Sequence, residues 1–180
     1  DAAGNVSKTY YHTGTGSDAI HGQFQNDYWK IGKPYRVEQY DNSNNLYSVS
    51  INKWDDVDLG SGSKFVKLAQ TVTSTYDGNA THKDTAESYT YNDVNGNVTQ
   101  KIQHGEVSGN DDGIFADIGV DKFTTDYTYA SEVSGAKYHV SSISIIDQNT
   151  NKIKESRYYY DNLALGNITK GNLTKQEDLK

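Results

Sequence analysis

Apolar and aromatic side chains recur at every second position along much of this 180-residue chain, and the positions between them are mostly Ser or Thr. Tyr47, Val49 and Ile51 form one such set; Tyr89 with Tyr91, Tyr127 with Tyr129, Ile143 with Ile145, and Tyr158 with Tyr160 form others. Side chains two apart share one face of an extended strand, so each set predicts a strand with one packed and one wetted face. No stretch carries a sustained helical period. Clusters of Asn, Asp and Gly separate the sets, at Asp41–Asn45, Asp77-Gly78-Asn79, Asn95-Gly96-Asn97 and Asp147–Asn151. These residue types tolerate positive φ and can fold their side chains back onto the turn backbone, so the clusters predict hairpin loops. The pattern predicts an all-β chain of antiparallel strand-turn repeats. Residues 60–64 and 105–121 interrupt the rhythm, and the second interruption reads as an inserted loop. Strand patterning resumes unchanged after both, so residues 1–180 read as a single sheet segment.

The strand-turn units repeat a motif: an aromatic residue, Asp or Asn, then Gly-Asn, an apolar residue and Thr. One copy runs from Tyr89 and Tyr91 through Asn92 to Gly96, Asn97, Val98 and Thr99. Another runs from Tyr158, Tyr159, Tyr160 and Asp161 to Gly166, Asn167, Ile168 and Thr169. A third is Tyr76-Asp77-Gly78-Asn79-Ala80-Thr81, and weaker echoes are Tyr40-Asp41, Trp54-Asp55 and Ile146-Asp147. In physical terms, rings on alternate positions can stack across neighbouring strands, Asp or Asn ends the strand, Gly-Asn makes the turn and Thr restarts the chain. A unit of this kind cannot bury its own face and needs neighbours on both sides.

At these residues the chain resembles the YD-repeat, or Rhs, family. The likeness is strongest to the shell region of toxin-complex B-like proteins, around Tyr11-His12-Thr13-Gly14, Gly32–Glu38, Leu163–Gly166 and Gly171–Lys175. The resemblance implies a curled sheet forming part of a hollow shell that encloses a toxic or variable C-terminal cargo. The implied partners are the remainder of the same polypeptide and that cargo, in a secreted or cell-surface protein. The copies are irregularly spaced, and the family's self-cleavage core with its paired aspartates is not recognisable here. The expectation is therefore a non-catalytic structural segment. The start, Asp1-Ala2-Ala3-Gly4, fits the expectation of a piece of a longer chain.

Composition narrows the alternatives. Mean hydropathy is −0.83, but 15 Tyr, 2 Trp and 4 Phe carry enough apolar area for a folded chain, and Pro34 is the single proline. Net charge is −7, with no basic run to neutralise phosphates, so nucleic acid is not an expected partner. No apolar run approaches a membrane span. Without cysteine there is neither a disulfide framework nor a thiolate metal site.

Candidate chemistry is sparse. The histidines, His12, His21, His82, His104 and His139, lack metal-ligand spacing, and Asp55–Asp58 and Asn110–Gly113 do not match a calcium loop. A glycosidase carboxylate pair cannot be sorted from 24 acids. Gly14-Thr15-Gly16-Ser17 lacks the lysine of a phosphate loop, and no Gly-x-Ser-x-Gly elbow occurs. No catalytic residue, metal or cofactor is expected. Tyr28 and Trp29 are expected to fill the core. The alternative reading makes them a stacking platform for a glycan or protein ligand in an adhesion module of a bacterial surface protein.

Overall fold

The computed structural model describes residues 4–131 and 138–180. The strands are β1 (Val6–Tyr11), β2 (Pro34–Tyr40), β3 (Leu46–Gly60), β4 (Ser63–Thr75), β5 (Lys83–Tyr91), β6 (Val98–Gly109), β7 (Phe115–Asp117), β8 (Phe123–Tyr129), β9 (Val140–Asp147), β10 (Lys152–Tyr160) and β11 (Leu173–Leu179). They form one antiparallel ladder in sequence order, with β7 set aside as a short extra partner of β6. Two short 3-10 turns, Ala19–His21 and Tyr28–Lys30, lie in the excursion between β1 and β2. The all-β, antiparallel reading of the alternating sets is what the ladder shows.

By contact the chain divides into two compact units. The first takes in residues up to Ser88 together with His104–Val120, and the second Tyr89–Gln103 together with Asp121–Lys180. Strands β5 and β6 supply residues to both.

In the first unit the long β3–β4 hairpin is the axis, held in register from Ser48↔Thr75 to Gly60↔Ser63. Ile51 faces Val72, and Val72 faces Ala86 on the next strand, so period-two positions meet across three strands. Val72, Ala86 and Val107 form a buried cluster with Phe115 against it. Ile51, 2% exposed, lies under two glycines from distant loops. A Cβ built on Gly22 would meet Ile51 Cγ2 at 2.4 Å, and one on Gly113 would meet it at 2.7 Å. Both glycines have positive φ, so here the missing side chain and the left-handed backbone are required together.

The segment read as an inserted loop is mostly a hairpin. Strand β6 continues past Gly105, at φ 68°, to Gly109, and β7 returns alongside it. The Asn110–Ile114 turn lies over the sheet: Arg36 Nη1 donates to Asp111 O at 3.1 Å and Gln70 Nε2 to Gly113 O at 2.8 Å.

In the second unit Ala130, Tyr160 and Ile168 make the core, with Tyr158 packed against it. Tyr160 donates to Val140 O and Tyr129 to Val98 O, each at 2.8 Å. A tyrosine thus buries its ring while its hydroxyl reaches a neighbouring carbonyl. A cross-strand tyrosine pair of the expected kind joins Tyr10 of β1 to Tyr35 of β2, with centroids 6.2 Å apart, and other rings pair differently. Tyr35 meets His12, Tyr76 meets His82 and Tyr160 meets His139, while Lys8, Lys101 and Lys175 lie over Tyr40, Tyr89 and Tyr159. On a half-wetted face a long basic side chain covers a ring and keeps its own charge hydrated, which a second ring cannot do.

Candidate functional site: the Tyr-Asp turns and the excursion between the first strands

At Tyr40-Asp41 and Ile146-Asp147 the Asp acts on the turn backbone. Asp41 Oδ1 accepts from the N–H groups of Ser43 and Asn45 at 2.9 and 2.8 Å, and Asn45 Nδ2 donates to Oδ2 at 3.0 Å. Asp147 does the same with Asn149 and Asn151, at 2.9, 2.8 and 3.0 Å. In both loops the fourth residue, Asn44 or Thr150, has positive φ, which is the three-residue hairpin loop closed by a bulge. The Asn45 and Asn151 amides, with the turn N–H groups, hold the two carboxyls below the usual range. The shared signature is Asp followed four residues later by Asn.

Asn92 plays the same part in the Tyr89–Thr99 copy. Its side chain accepts from Val94 and Asn95, its N–H donates to Asn97 O, and Gly96, φ 76°, donates to Asn92 O. Asn97 is buried, Thr99 lies in the start of β6, and Tyr89 and Tyr91 are half-buried on β5. Burial raises the Tyr91 pKa. At Tyr76-Asp77 the turn is tight, with Asp77 and Gly78 both at positive φ and Asn79 N–H donating to Tyr76 O. Tyr76 donates to Asp111 Oδ1 at 3.0 Å, and burial with that bond pushes its pKa up to about 12.

The last copy is laid out differently from its motif. Gly166, Asn167 and Thr169 lie within a loop, and the strand restarts at Leu173, after Gly171-Asn172. Asp161 gathers that loop: it accepts from the N–H groups of Thr169, Lys170, Gly171 and Asn172 and from the Thr169 hydroxyl, at 2.7 to 3.0 Å. Led by the Thr169 N–H, these donors hold its carboxyl well below the usual range.

The excursion between β1 and β2 is braced by polar side chains. Asn26 Oδ1 accepts from the N–H groups of Thr13 and Gly14, and its Nδ2 donates to Thr15 O and Gly16 O. Asp18 accepts from Tyr35 at 2.8 Å and pairs with His21 at 2.6 Å; burial together with the Asp18 bond pushes the Tyr35 pKa up to about 12. On β2, Glu38 takes Arg36 Nε at 2.7 Å, Tyr40 at 2.8 Å and Tyr10 at 3.1 Å. Burial works to raise the Glu38 pKa, but these three bonds outweigh it and lower it.

Contrary to the core-filling expectation, Tyr28 is 72% and Trp29 40% exposed. The rings meet edge to face, with centroids 5.7 Å apart. Both sit on a 3-10 turn capped by Asp27, which turns them outward while Lys30, the next residue, points inward with no exposure.

Sequence reasoning missed the alignment of Ser88, His104 and Asp117 on β5, β6 and β7. Ser88 Oγ is 2.9 Å from His104 Nε2, and His104 Nδ1 is 3.5 Å from Asp117 Oδ2. A nucleophilic triad needs its base oriented by a hydrogen bond, and His104 Nδ1 makes none among the described residues. Nothing in the sequence spacing signals this group. Among the described residues no cluster of three or more His, Asp or Glu could hold a metal, and no helix is long and apolar enough to cross a membrane.

No family model matches the sequence, and no curated protein matches it. Solved structures do. A TccC3 mutant form of the Photorhabdus luminescens Tc holotoxin pore aligns over 97% of this chain and 13% of its own, with TM-score 0.67 and 12% identity. The TcdB2-TccC3 crystal structure aligns over 97% of this chain and 13% of its own, with TM-score 0.66 and 11% identity. The chain thus spans 13% of the length of these neighbours. At such identities the likeness concerns the fold: this chain folds as a segment of Tc toxin chains does, the group its Tyr-Asp and Gly-Asn-x-Thr motifs resemble.

Proposed function

We propose that the chain is a structural, non-catalytic segment of a YD-repeat shell in a secreted or surface-bound toxin complex. Its partners are the rest of the same polypeptide, and a toxin or variable C-terminal cargo faces one side of its sheet. The observation that carries this reading is the alignment of 97% of the chain with a segment of much longer Tc toxin chains. The ladder supports it: among the described residues β1 pairs only with β2, and β11 only with β10. Their outer edges present unpaired backbone groups, which further strands would cover. The test is cryo-electron microscopy of the full-length polypeptide with protease protection of its C-terminal segment. A closed shell with strands paired to β1 and β11 and a protected segment is expected. A free-standing module with both edges bare overturns the reading, and reproducible hydrolysis of a glycan or peptide counts against it.

The exposure of Tyr28 and Trp29 supports a second reading, a glycan- or protein-binding adhesion module. Binding on a glycan array, abolished by Tyr28→Ala with Trp29→Ala, supports it; no binding by the intact chain removes it.

A further inference from the structure

The excursion between β1 and β2 carries two basic side chains where charge is hardest to place. His12 is 1% exposed and Lys30 fully buried. The His12 ring stands 5.3 Å from that of Tyr35, its Nδ1 is 3.4 Å from Asn26 Oδ1, and its Nε2 is buried with no hydrogen-bond partner among the described residues. Among the described residues Lys30 Nζ reaches Asp27 Oδ2 at 3.4 Å and Gln25 Oε1 at 3.5 Å. The charged or titratable groups that face His12 are Lys30 and Asp27 of the excursion and Tyr35 of β2. One carboxylate therefore serves both basic groups. A neutral imidazole fits this site; a second positive charge has no acceptor for Nε2 and meets Lys30.

We propose that the excursion is an acid-sensitive latch, closed over the sheet while His12 is neutral and released when its ring takes a proton. Closure rests on His12 N–H donating to Lys33 O and Gly32 N–H to His12 O, each at 2.9 Å, on Tyr35 of β2 donating to Asp18 at 2.8 Å, on Lys53 of β3 over the Phe24 ring, and on Gly22 capping Ile51. Opening hydrates both basic groups and uncovers Ile51, while the hairpins of the ladder stay paired. Burial lowers the His12 pKa, with Lys30 adding to it, and together they outweigh the Asn26 bond and the Asp27 charge that raise it. The open state takes up a proton more readily than the closed state, so the opening equilibrium rises by up to about tenfold per pH unit between the ordinary histidine value of about 6.5 and the lowered value of the closed state. The device is independent of the shell reading.

Hydrogen exchange of the whole chain between pH 8 and 5, corrected for intrinsic rates, tests it. The amides of residues 12–33 are expected to open more as pH falls below 6.5, by up to about tenfold per unit, while those of β9 and β10 keep their protection. His12→Asn is expected to abolish that slope, His21→Asn to leave it intact, and Lys30→Met to move its onset to higher pH. No slope in the wild type, a slope that survives His12→Asn or follows His21, or opening of the excursion only together with the whole sheet overturns the proposal. Histidine NMR of the wild type gives a check that needs no variant. His12 is expected to titrate only as the latch opens, and titration near 6.5 with the latch closed overturns it.

Discussion

The contact of Gly22 with Ile51 allows a quantitative test of how the excursion is seated. A methyl placed at position 22 meets Ile51 Cγ2 at 2.4 Å and Asp112 O at 3.2 Å, on a backbone with φ of +83°. Forcing an L side chain into the left-handed region costs about 1–2 kcal/mol, and overpacking a closed contact costs about 1–3 kcal/mol. Gly22→Ala is therefore expected to destabilise by roughly 2–5 kcal/mol. Ile51→Ala alone leaves a cavity and costs about 2–5 kcal/mol. In the double variant Cγ2 is gone, so most of the steric part disappears, while the Asp112 O contact and the backbone strain remain. The loss in the double variant should then fall short of the sum of the two single losses by about 1–3 kcal/mol. Urea titrations of the wild type, both single variants and the double variant, followed by tryptophan fluorescence, give the four free energies. Additivity within about 0.5 kcal/mol would show that position 22 does not touch Ile51 and that the excursion sits elsewhere.

Tyr160, 8% exposed, should lose about 3–5 kcal/mol on Tyr160→Ala, against less than about 0.5 kcal/mol for Tyr28→Ala, with the half-buried Tyr91→Ala between them; equal losses in urea melts would contradict these placements. Gly96→Val puts a β-branched residue at φ 76° and is expected to cost at least about 1–2 kcal/mol, so an unchanged melting temperature would refute that turn. The Asp161 carboxyl has its folded pKa depressed by the loop N–H groups. Its contribution is thus present above the unfolded carboxyl value of about 3.9 and lost as pH falls through the folded one. Asp161→Asn should flatten the acid limb of stability and speed exchange at Thr169–Asn172, and an unaltered acid limb would remove Asp161 from that role.

The parts of the fold legible in the sequence are those governed by neighbours along the chain. Tyr47, Val49 and Ile51 lie on one strand because alternation is a local property, and Asp41–Asn45 and Asp147–Asn151 are turns because their side chains reach backbone within four residues. The illegible parts depend on partners far away. Nothing near Asn26 announces that its amide will close a loop at Thr13 to Gly16, and Lys30 reads as a surface residue until the 3-10 turn beneath it rotates it inward. Gly105 misled in the opposite sense. A glycine inside a polar run reads as a loop, yet here it lies at positive φ within a strand that goes on to Gly109. The repeat itself was visible, but its last copy shows that a motif can keep its residues and move their work: Gly166-Asn167 lies in a loop and Gly171-Asn172 precedes the strand.

This displacement bears on what the Tyr-Asp pair is for. If its acid served a ligand or a reaction, the carboxylate would face outward and keep a free oxygen. At positions 41, 147 and 161 both carboxylate oxygens instead accept from their own loop. Asn92 does the turn work of these acids with an amide, which has one acceptor oxygen and no charge. Turn-keeping tolerates that exchange, whereas proton transfer by the side chain does not. The ring before the acid then has a separate task, seating the strand end by a hydroxyl bond such as Tyr160 to Val140 or Tyr40 to Glu38. A sequence built from such units specifies where the chain turns and which edge it presents next, and it leaves the identity of the half-wetted faces free to vary.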